Sequence, residues 1–539
     1  MNMIDMIRTI CADVVVTETG DTVVQIPHED FFRVAQALHD NPETPVDYLR
    51  DVVGMDWETS LGALYYMEST RTYERIVLKV CCPDRENAWL PSVCALWPTA
   101  QIKEREVYDF FGIRFLNHPD MRRLFLREDW NGFPLRKDYD MDSNPLNMDN
   151  EENSDVTTEY YLNPDGTVEG CSHVLFDQKD FVVNIGPQHP STHGVLRLRT
   201  SLDGETICRI DPVLGYIHRG IEKLNESLTY PQTLALTDRL DYLSAHHNRH
   251  ALCMCIEQAM GLEVSRRVQY IRTIMDELQR IDSHLLFFSC LAMDMGGLTP
   301  FFYGFREREM ILDIFEETTG GRLIQNYYVI GGVQADLYPT FQKKVKEFIN
   351  HLRQVISDYH HIFTENVIAI TRLKGVGILT REEVIGLGAT GGTGRASGWA
   401  NDVRKHHPYA LYNEVDFKEI IYSEGDSYAR YMVRMDEIME SCHIIEQLID
   451  NIPEGETRIK TKPIIKVPEG NFSASVESSR GEFGVMLESH GDKTPYRLHY
   501  RSTGLPLVHA MDTACRGNKI ADLIAIGGTL DFVIPDIDR

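Results

Sequence analysis

Four short stretches gather more polar side chains than packing needs. The first is the loop Asn184-Ile185-Gly186-Pro187-Gln188-His189-Pro190-Ser191-Thr192-His193-Gly194, which sets two imidazoles between two strand-like runs. The second is Gly215 to Lys223, with His218, Arg219 and Glu222. The third, Thr237 to His247, crowds Asp238, Arg239, Asp241, Tyr242, Ser244 and His246 into one short run. The fourth is Asp294, set among Leu291, Met293, Met295 and Leu298 at the end of a helical pattern. Imidazole, phenol and carboxylate are the groups of acid–base chemistry. Each stretch also has a structural explanation: histidines beside Pro and Gly cap turns, Asp-Arg runs form ion pairs, and a tyrosine at a helix start keeps its hydroxyl in water. Asp294 is the hardest to explain this way, because a desolvated carboxylate needs a cation or a donor beside it.

Two other patterns lead away from chemistry. Gly386-Leu387-Gly388-Ala389-Thr390-Gly391 fits GxGxxG, but that motif binds a dinucleotide only where it follows a strand and opens a helix. Thr380-Arg381-Glu382-Glu383 reads instead as a capping box that starts a short helix ending in these glycines. The 11 cysteines contain no Cys-x-x-Cys unit. The close pairs Cys81-Cys82 and Cys253-x-Cys255 would point apart on a strand and on a helix, so core packing is their expected role and no metal is expected.

The elements that must position these residues follow from apolar periodicity. Asp21 to Ile26 and Arg75 to Cys81 read as strands, Glu29 to Leu38 and Trp89 to Leu96 as helices, together a small α+β domain. Met141 to Asp180 is crowded with Asp, Glu and Asn, with Lys179 its only Lys or Arg, and reads as a solvated acidic linker. The expected boundaries are 1–140, 141–178 for the linker, and 179–539. After the linker, Phe181 to Asn184 and Gly194 to Ser201 suggest an opening sheet. Val268, Ile271, Ile274, Met275, Leu278, Ile281 and Leu285 recur three and four apart, as in an amphipathic helix; Val345 to Tyr359 and Val433 to Ile449 repeat the pattern. Tyr496 to Arg501, Asp522 to Ile526 and Asp531 to Ile534 read as closing strands. The fold class is therefore α+β, a helical bundle flanked by β structure in the larger part.

The 539 residues carry 54 basic and 81 acidic side chains, for a net charge of -27. That balance, with no long basic run, argues against nucleic acid as a partner. Leu285 to Phe302 is the longest apolar stretch and is broken by Asp294 and Gly296-Gly297, so no spanning helix is expected. The opening residues lack a basic leader with an apolar core, so secretion is unsupported.

The run Lys103 to Asp140 (KEREVYDFFGIRFLNHPDMRRLFLREDWNGFPLRKDYD) resembles the C, or 30 kDa, subunit of respiratory complex I. GPQHPSTHGVLRL, HRGIEKL, RLDYLS, TPFFYGFRERE, RASG, DVRK, ESSRGEFG and the terminal DIDR resemble its D, or 49 kDa, subunit. The resemblance implies that two usually separate subunits of a bacterial proton-pumping NADH:quinone oxidoreductase are joined. The resemblance implies a larger domain like the nickel-iron hydrogenase large subunit, with Asp241 and Ser244 where a hydrogenase would carry cysteines; hydrogenase chemistry is thereby excluded.

The resemblance also implies site roles. Tyr242 and His193 match the residues that bind the quinone headgroup and supply its protons, Asp294 matches the carboxylate paired with that histidine, and His189 lies in the same loop. Arg239 matches the arginine packed against the terminal iron-sulfur cluster, whose ligands belong to a neighbouring subunit. The implied partners are that subunit, the membrane-arm subunit of the quinone channel and other complex I subunits, on the cytoplasmic side of the inner membrane. One region departs from the family: Thr318 to Val333 reads TTGGRLIQNYYVIGGV, with Ile324 or Gln325 where a cluster-adjacent histidine is common and Val329 where arginine is common. A cluster lacking that histidine is expected to have a lower, less pH-dependent potential, favouring menaquinone as the quinone. The mixed-charge set Glu104, Arg105, Glu106, Arg122, Arg123, Arg136, Lys137 and Asp138 reads as an assembly surface. Two alternatives share parts of this pattern: the equivalent subunit of a ferredoxin-driven complex, and a structural connector without quinone chemistry.

Overall fold

The computed structural model describes residues 3–141, 155–176, 181–189, 192, 194–462 and 464–539. The first part holds a mixed five-stranded sheet in the spatial order Val15–Thr17, Val23–Ile26, Arg75–Cys81, Leu61–Glu68, Tyr48–Asp56. Within this sheet Val23–Ile26 and Arg75–Cys81 pair in parallel and the other neighbours antiparallel. Helices His28–His39 and Ala100–Phe111 pack on this sheet and bury Phe31, Val34, Leu38, Val107 and Phe110.

Where a linker is expected, Val156–Leu162 and Val168–Val174 form an antiparallel hairpin. It extends a four-stranded sheet through Trp89–Pro91 and Arg114–Leu116. The hairpin is mostly exposed, which is why its composition reads as linker; its attachment is made by Thr157, which is buried and donates to Asp120 at 2.6 Å. Positions 142–154 and 177–180 of the acidic run lie outside the described residues.

In the second part, Phe181–Ile185, Arg197–Asp203 and Thr206–Val213 form an antiparallel sheet. The bundle follows as helices Ala245–Met260, Arg266–Asp294, Leu298–Thr319, Phe341–Tyr359 and Ser427–Leu448. Their ends obey local chemistry: the Ser265 side chain accepts from Val268 N at 3.2 Å, Asp426 accepts from Ala429 N at 2.7 Å, and Gly261 and Gly320 close their helices in the left-handed region. Gly304 lets two of these helices meet, since a Cβ there would lie 2.0 Å from Ser289 Oγ. A sheet of Gly470–Ser478, Gly481–Ser489 and Arg497–Arg501 covers the bundle.

Three expectations are corrected. Trp89 to Leu96 contains a short strand and turns, not a helix. Leu523–Leu530 is a helix and Asp531 to Val533 belongs to no strand, although both read as strands in the sequence. Short apolar runs do not distinguish a buried helix from a buried strand, and here the Gly527-Gly528 pair lies within the helix. Gly386 does end the capped helix Arg381–Gly386, but the glycines that follow open a second short helix, Gly391–Ala396.

The two parts share one core. Phe31, Leu90 and Phe110 from the first part cluster with Leu198, Ile210, Leu505 and Ile537 from the second. Buried charges cross the same seam. Glu482 takes Arg50 at 2.6 Å, Arg75 at 3.3 Å and the Tyr48 hydroxyl at 2.8 Å. His499 bridges Asp51 and Glu222, each at 3.0 Å; Lys103 also meets Asp51 at 3.0 Å, and Arg539 meets Glu106 at 2.7 Å. Of the charged set expected to form an assembly surface, Glu106, Arg122 and Lys137 meet Arg539, Asp211 and Glu226 of the same chain, while Glu104, Arg105, Arg123 and Asp138 pair within the first part.

Arg50 and Arg75 hold the Glu482 carboxyl well below its ordinary range, so its contribution to stability is present above the unfolded pKa of about 4 and is lost as pH falls. Glu482→Gln leaves buried Arg50 with only the more distant Glu68, at 3.8 Å, as a counter-charge and is expected to cost about 2–4 kcal/mol, measured by urea denaturation at pH 7. The loss should shrink as the wild type is acidified, and a pH-independent difference would show that the ion pair is not its source.

Candidate functional site

Tyr242 lies in the turn between helices Tyr230–Thr237 and Ala245–Met260, and Asp294 is the last residue of helix Arg266–Asp294. What fixes the turn is Arg480, which leaves the tight connection between Gly470–Ser478 and Gly481–Ser489. Its guanidinium is fully buried and meets Asp241 at 2.9 Å, Ser283 Oγ at 3.0 Å and Asp531 at 3.2 Å. One side chain thus ties the Tyr242 turn to the long helix and to the C-terminal segment. Asp241 also accepts from Leu243 N at 3.0 Å, and Ser244 Oγ meets Ser479 Oγ at 3.0 Å.

Around this anchor the side chains are electrostatic neighbours. Burial pushes the half-buried Tyr242 phenol above its usual range and Asp241 adds to the rise, while Arg480 and Arg308 oppose it. Burial, then Asp294 and Asp531, lift the Cys290 thiol to about 11. A Cβ on Gly528 would sit 3.8 Å from Asp294 Oδ2, so helix Leu523–Leu530 runs directly beside that carboxylate. On its other side this helix lines a small cleft, of about 30 Å3, with Ile185, Thr192, Gly527, Gly528, Asp531 and Phe532. Asp531 connects the two sides, facing the cleft while bound to Arg480 and, at 3.2 Å, to Arg434.

The structure thus brings Tyr242 and Asp294 into one neighbourhood and brings the 184–194 loop, through Thr192, to the adjoining cleft. His193 lies outside the described residues. His189 is exposed, and its carbonyl accepts from Thr192 Oγ1 at 2.9 Å. Arg239 stands apart from the buried set: it is exposed, and its carbonyl accepts from Arg219 at 2.7 Å. The segment with the unusual Ile324 and Gln325 packs close by, because Asn326 N donates to Asp238 at 2.8 Å and its side chain accepts from Arg249 at 2.8 Å. Gln325 is buried and Ile324 half-exposed.

Arg480, Asp531 and Cys290 have no role that the sequence alone assigns. ESSRGEFG is recognisable as a motif, but nothing local shows that its arginine closes on Asp241 and Asp531. The terminal segment has a supporting role: Asp538 accepts from Gly215 N at 2.9 Å and Ile217 N at 3.0 Å, fixing the turn before His218. Among the described residues, Cys94, Glu104 and His118 form one group of ligand-type side chains and Glu106, Glu222 and His499 another. Both are occupied: the His118 nitrogens meet Gln101 O and Asp120 N, each at 3.0 Å, and the second group is the ion-paired seam.

Comparison with known proteins decides the family. A family model described as the respiratory-chain NADH dehydrogenase 30 Kd subunit matches residues 24–145, and one described as the 49 Kd subunit matches 294–465 and 461–539. The NADH-quinone oxidoreductase C/D subunit of Bacteroides fragilis is 67% identical over 520 residues, covering 93% of this chain and 98% of that protein. This chain belongs to the family of NADH-quinone oxidoreductase C/D subunits. The C/D subunit of Phocaeicola vulgatus is 66% identical over 521 residues, covering 96% of this chain and 99% of the relative. The D subunit of the Desulfotalea psychrophila enzyme is 47% identical over 367 residues, covering 68% of this chain and 99% of that protein. In this C/D fusion, then, the sheet-covered bundle corresponds to a protein that exists alone elsewhere. The C/D seam described above is internal to one polypeptide.

Proposed function

We propose that the D part of this NADH:quinone oxidoreductase C/D subunit forms one wall of the quinone-reduction site of a proton-translocating complex. The observation that carries the site assignment is the position of Tyr242: half-buried in a turn whose Asp241 is held by Arg480, the same arginine that binds Asp531 of the cleft beside the Asp294 helix end. The domain boundaries proposed are a C part to residue 140, a connecting segment over 141–178 that includes the hairpin, and a D part from 179. The D part is proposed to share the nickel-iron hydrogenase large-subunit fold. In that reading the positions of two thiolates are filled by the Asp241–Arg480 ion pair and the Ser244–Ser479 hydroxyl pair.

The substrate is a quinone, which takes two electrons and two protons. Electrons arrive from a terminal iron-sulfur cluster held by a neighbouring subunit, and Arg239, exposed beside Arg219, faces that partner and favours the cluster's reduced form. Tyr242 hydrogen-bonds one quinone oxygen and gives it a proton. Because burial holds the phenol above its usual pKa, it stays protonated until the reduced substrate demands the proton. His193, with His189 in the same loop, serves the other oxygen, and Asp294 is the counter-charge of the protonated His193. Among the described residues no helix is long and apolar enough to cross a membrane, which suits a peripheral subunit on the cytoplasmic side. The membrane-arm subunit of the quinone channel is the second partner.

Menaquinone is the proposed quinone. Gln325 is buried and Ile324 half-exposed next to the Asp238–Arg249 pair, so neither supplies a titrating cation near Arg239. A redox titration of the terminal cluster in the assembled complex is expected to give a potential that moves little between pH 6 and 8; a steep dependence would refute the assignment.

Tyr242→Phe keeps the ring and removes the proton. Quinone turnover is expected to fall by about 100-fold or more, with electron entry to an artificial acceptor unchanged; unchanged quinone turnover would remove Tyr242 as donor. Asp294→Asn keeps the shape and removes the charge, so quinone reduction should continue in part while protons pumped per quinone fall. Coupling equal to the wild type in that variant would show that Asp294 is not the counter-charge.

A further inference from the structure

Among the described residues no side chain hydrogen-bonds the Tyr242 hydroxyl, so the aim of the phenol is set through the chain that carries it. The direction of a side chain follows from the two planar peptides that flank its Cα. The peptide before Tyr242 is held at its carbonyl: Asp241 O accepts from Asn248 Nδ2 at 3.0 Å, and the same amide donates to Thr237 O at 3.3 Å. The peptide after Tyr242 is held at Leu243 N by the Asp241 carboxylate that Arg480 fixes. One peptide further on, Leu243 O accepts from Gln279 Nε2 at 3.1 Å. That amide gives its second hydrogen to Asp282 Oδ2 at 3.2 Å, and its oxygen accepts from His246 Nδ1 at 3.0 Å.

Asn248 and Gln279 are both fully buried, and each turns its nitrogen toward the turn. Reversing either amide would set oxygen against oxygen. Closing the helix that ends at Thr237 does not require Asn248, because Thr237 O already accepts from Leu240 N at 3.2 Å; Asp241 O likewise accepts from Ser244 N at 3.0 Å. Asn248 is a second donor to both carbonyls, and it makes these contacts although its own Oδ1 is buried without a partner. What it adds is therefore a tie between the Tyr242 turn and helix Ala245–Met260, while Gln279 ties the far side of the same turn to helix Arg266–Asp294.

We propose that Asn248 and Gln279 are positioning residues for quinone reduction: two buried, uncharged amides that fasten the peptides around Tyr242 to two different helices and so hold its phenol at the quinone oxygen. The inference rests on Tyr242 being the donor. Proton transfer requires the hydroxyl within hydrogen-bond reach of the oxygen it serves, and a displacement of about 1 Å costs up to about 100-fold in rate. Amides meet this need without adding net charge beside the phenol. They fix where the proton is given up and leave its acidity to the ionic groups of the site.

The test uses the assembled complex in membrane vesicles, with NADH and a water-soluble quinone analogue, and normalises turnover to electron entry into an artificial acceptor. Asn248→Leu and Gln279→Met keep the side-chain size and remove the donors. In each, kcat is expected to fall by about tenfold with KM within about twofold of the wild type. The solvent deuterium isotope effect on kcat should rise, because delivery of the proton becomes the slow step. A residue that served stability alone would lower the amount of assembled complex and leave turnover per complex and the isotope effect unchanged. That result, or a loss confined to KM, would overturn the inference. The two variants lie on different helices, so either one suffices if the other does not assemble. With Tyr242→Phe as background, adding either substitution should change the residual turnover by less than about twofold, since the proton to be aimed is gone; losses that multiply would refute the positioning role. Tyr242→Phe alone separates the two levels. If it keeps wild-type turnover, the donor reading itself fails; if it loses turnover while both amide variants keep theirs, only the role of the amides fails.

Discussion

The buried guanidinium of Arg480 is the contact on which the candidate site depends. A fully buried cation is tolerated only when anions and acceptors surround it, and here they come from parts of the chain far apart in sequence: Asp241, Ser283 and Asp531. Satisfying one charge therefore fixes a turn, a long helix and the C-terminal segment relative to one another. Tyr242 and Asp294 sit on two of those elements, and the cleft with Gly527 and Gly528 is built on the third. Their mutual geometry follows from the needs of an arginine that is itself assigned no proton to give or take.

The same logic operates on a larger scale at the seam between the C and D parts. Continuous apolar packing supplies the attraction between them. The buried ions at Glu482, His499 and Arg539 add position more than strength, because desolvation offsets much of what each pair gains. A slip of one residue in register would leave several charges unpaired at once, so the seam is specific. It also carries information toward the site: Arg539 closes on Glu106 of the C part while its neighbour Asp538 holds the turn before His218, and Asp531, which binds Arg480, lies in the same terminal stretch.

Much of the bundle is legible in the sequence because helices advertise themselves by period. Val345 to Tyr359 and Val433 to Ile449 bury the expected face, while Val268 to Leu285, found by the same period, is buried on almost every side. The misread elements are those whose local signal is ambiguous. Asp522 to Ile526 is an apolar run too short to show a period, and the Val156–Leu162 hairpin is polar and mostly exposed although it completes a sheet. For the candidate site, Tyr242 draws attention through the RLDYLS motif and Asp294 through its apolar setting. Arg480 stands inside a motif yet gives no sign of its partners, since ion pairs that join positions 241, 480 and 531 leave no periodic trace.

Asp282 shows the limit most sharply. In the sequence it stands among Ile281, Ser283 and Leu285 on a helix with a clear apolar stripe, where an acid looks like an ordinary solvated position. The structure instead buries it completely, in a stretch from Ile271 to Leu285 that is buried on every side, with Arg308 of helix Leu298–Thr319 against it. Close approach then has two effects at once. It strips water from the carboxylate, which raises its pKa, and it brings in Arg308, which lowers it; burial wins. The state of a carboxylate is thus set by packing between two helices far apart in sequence, which no local pattern records.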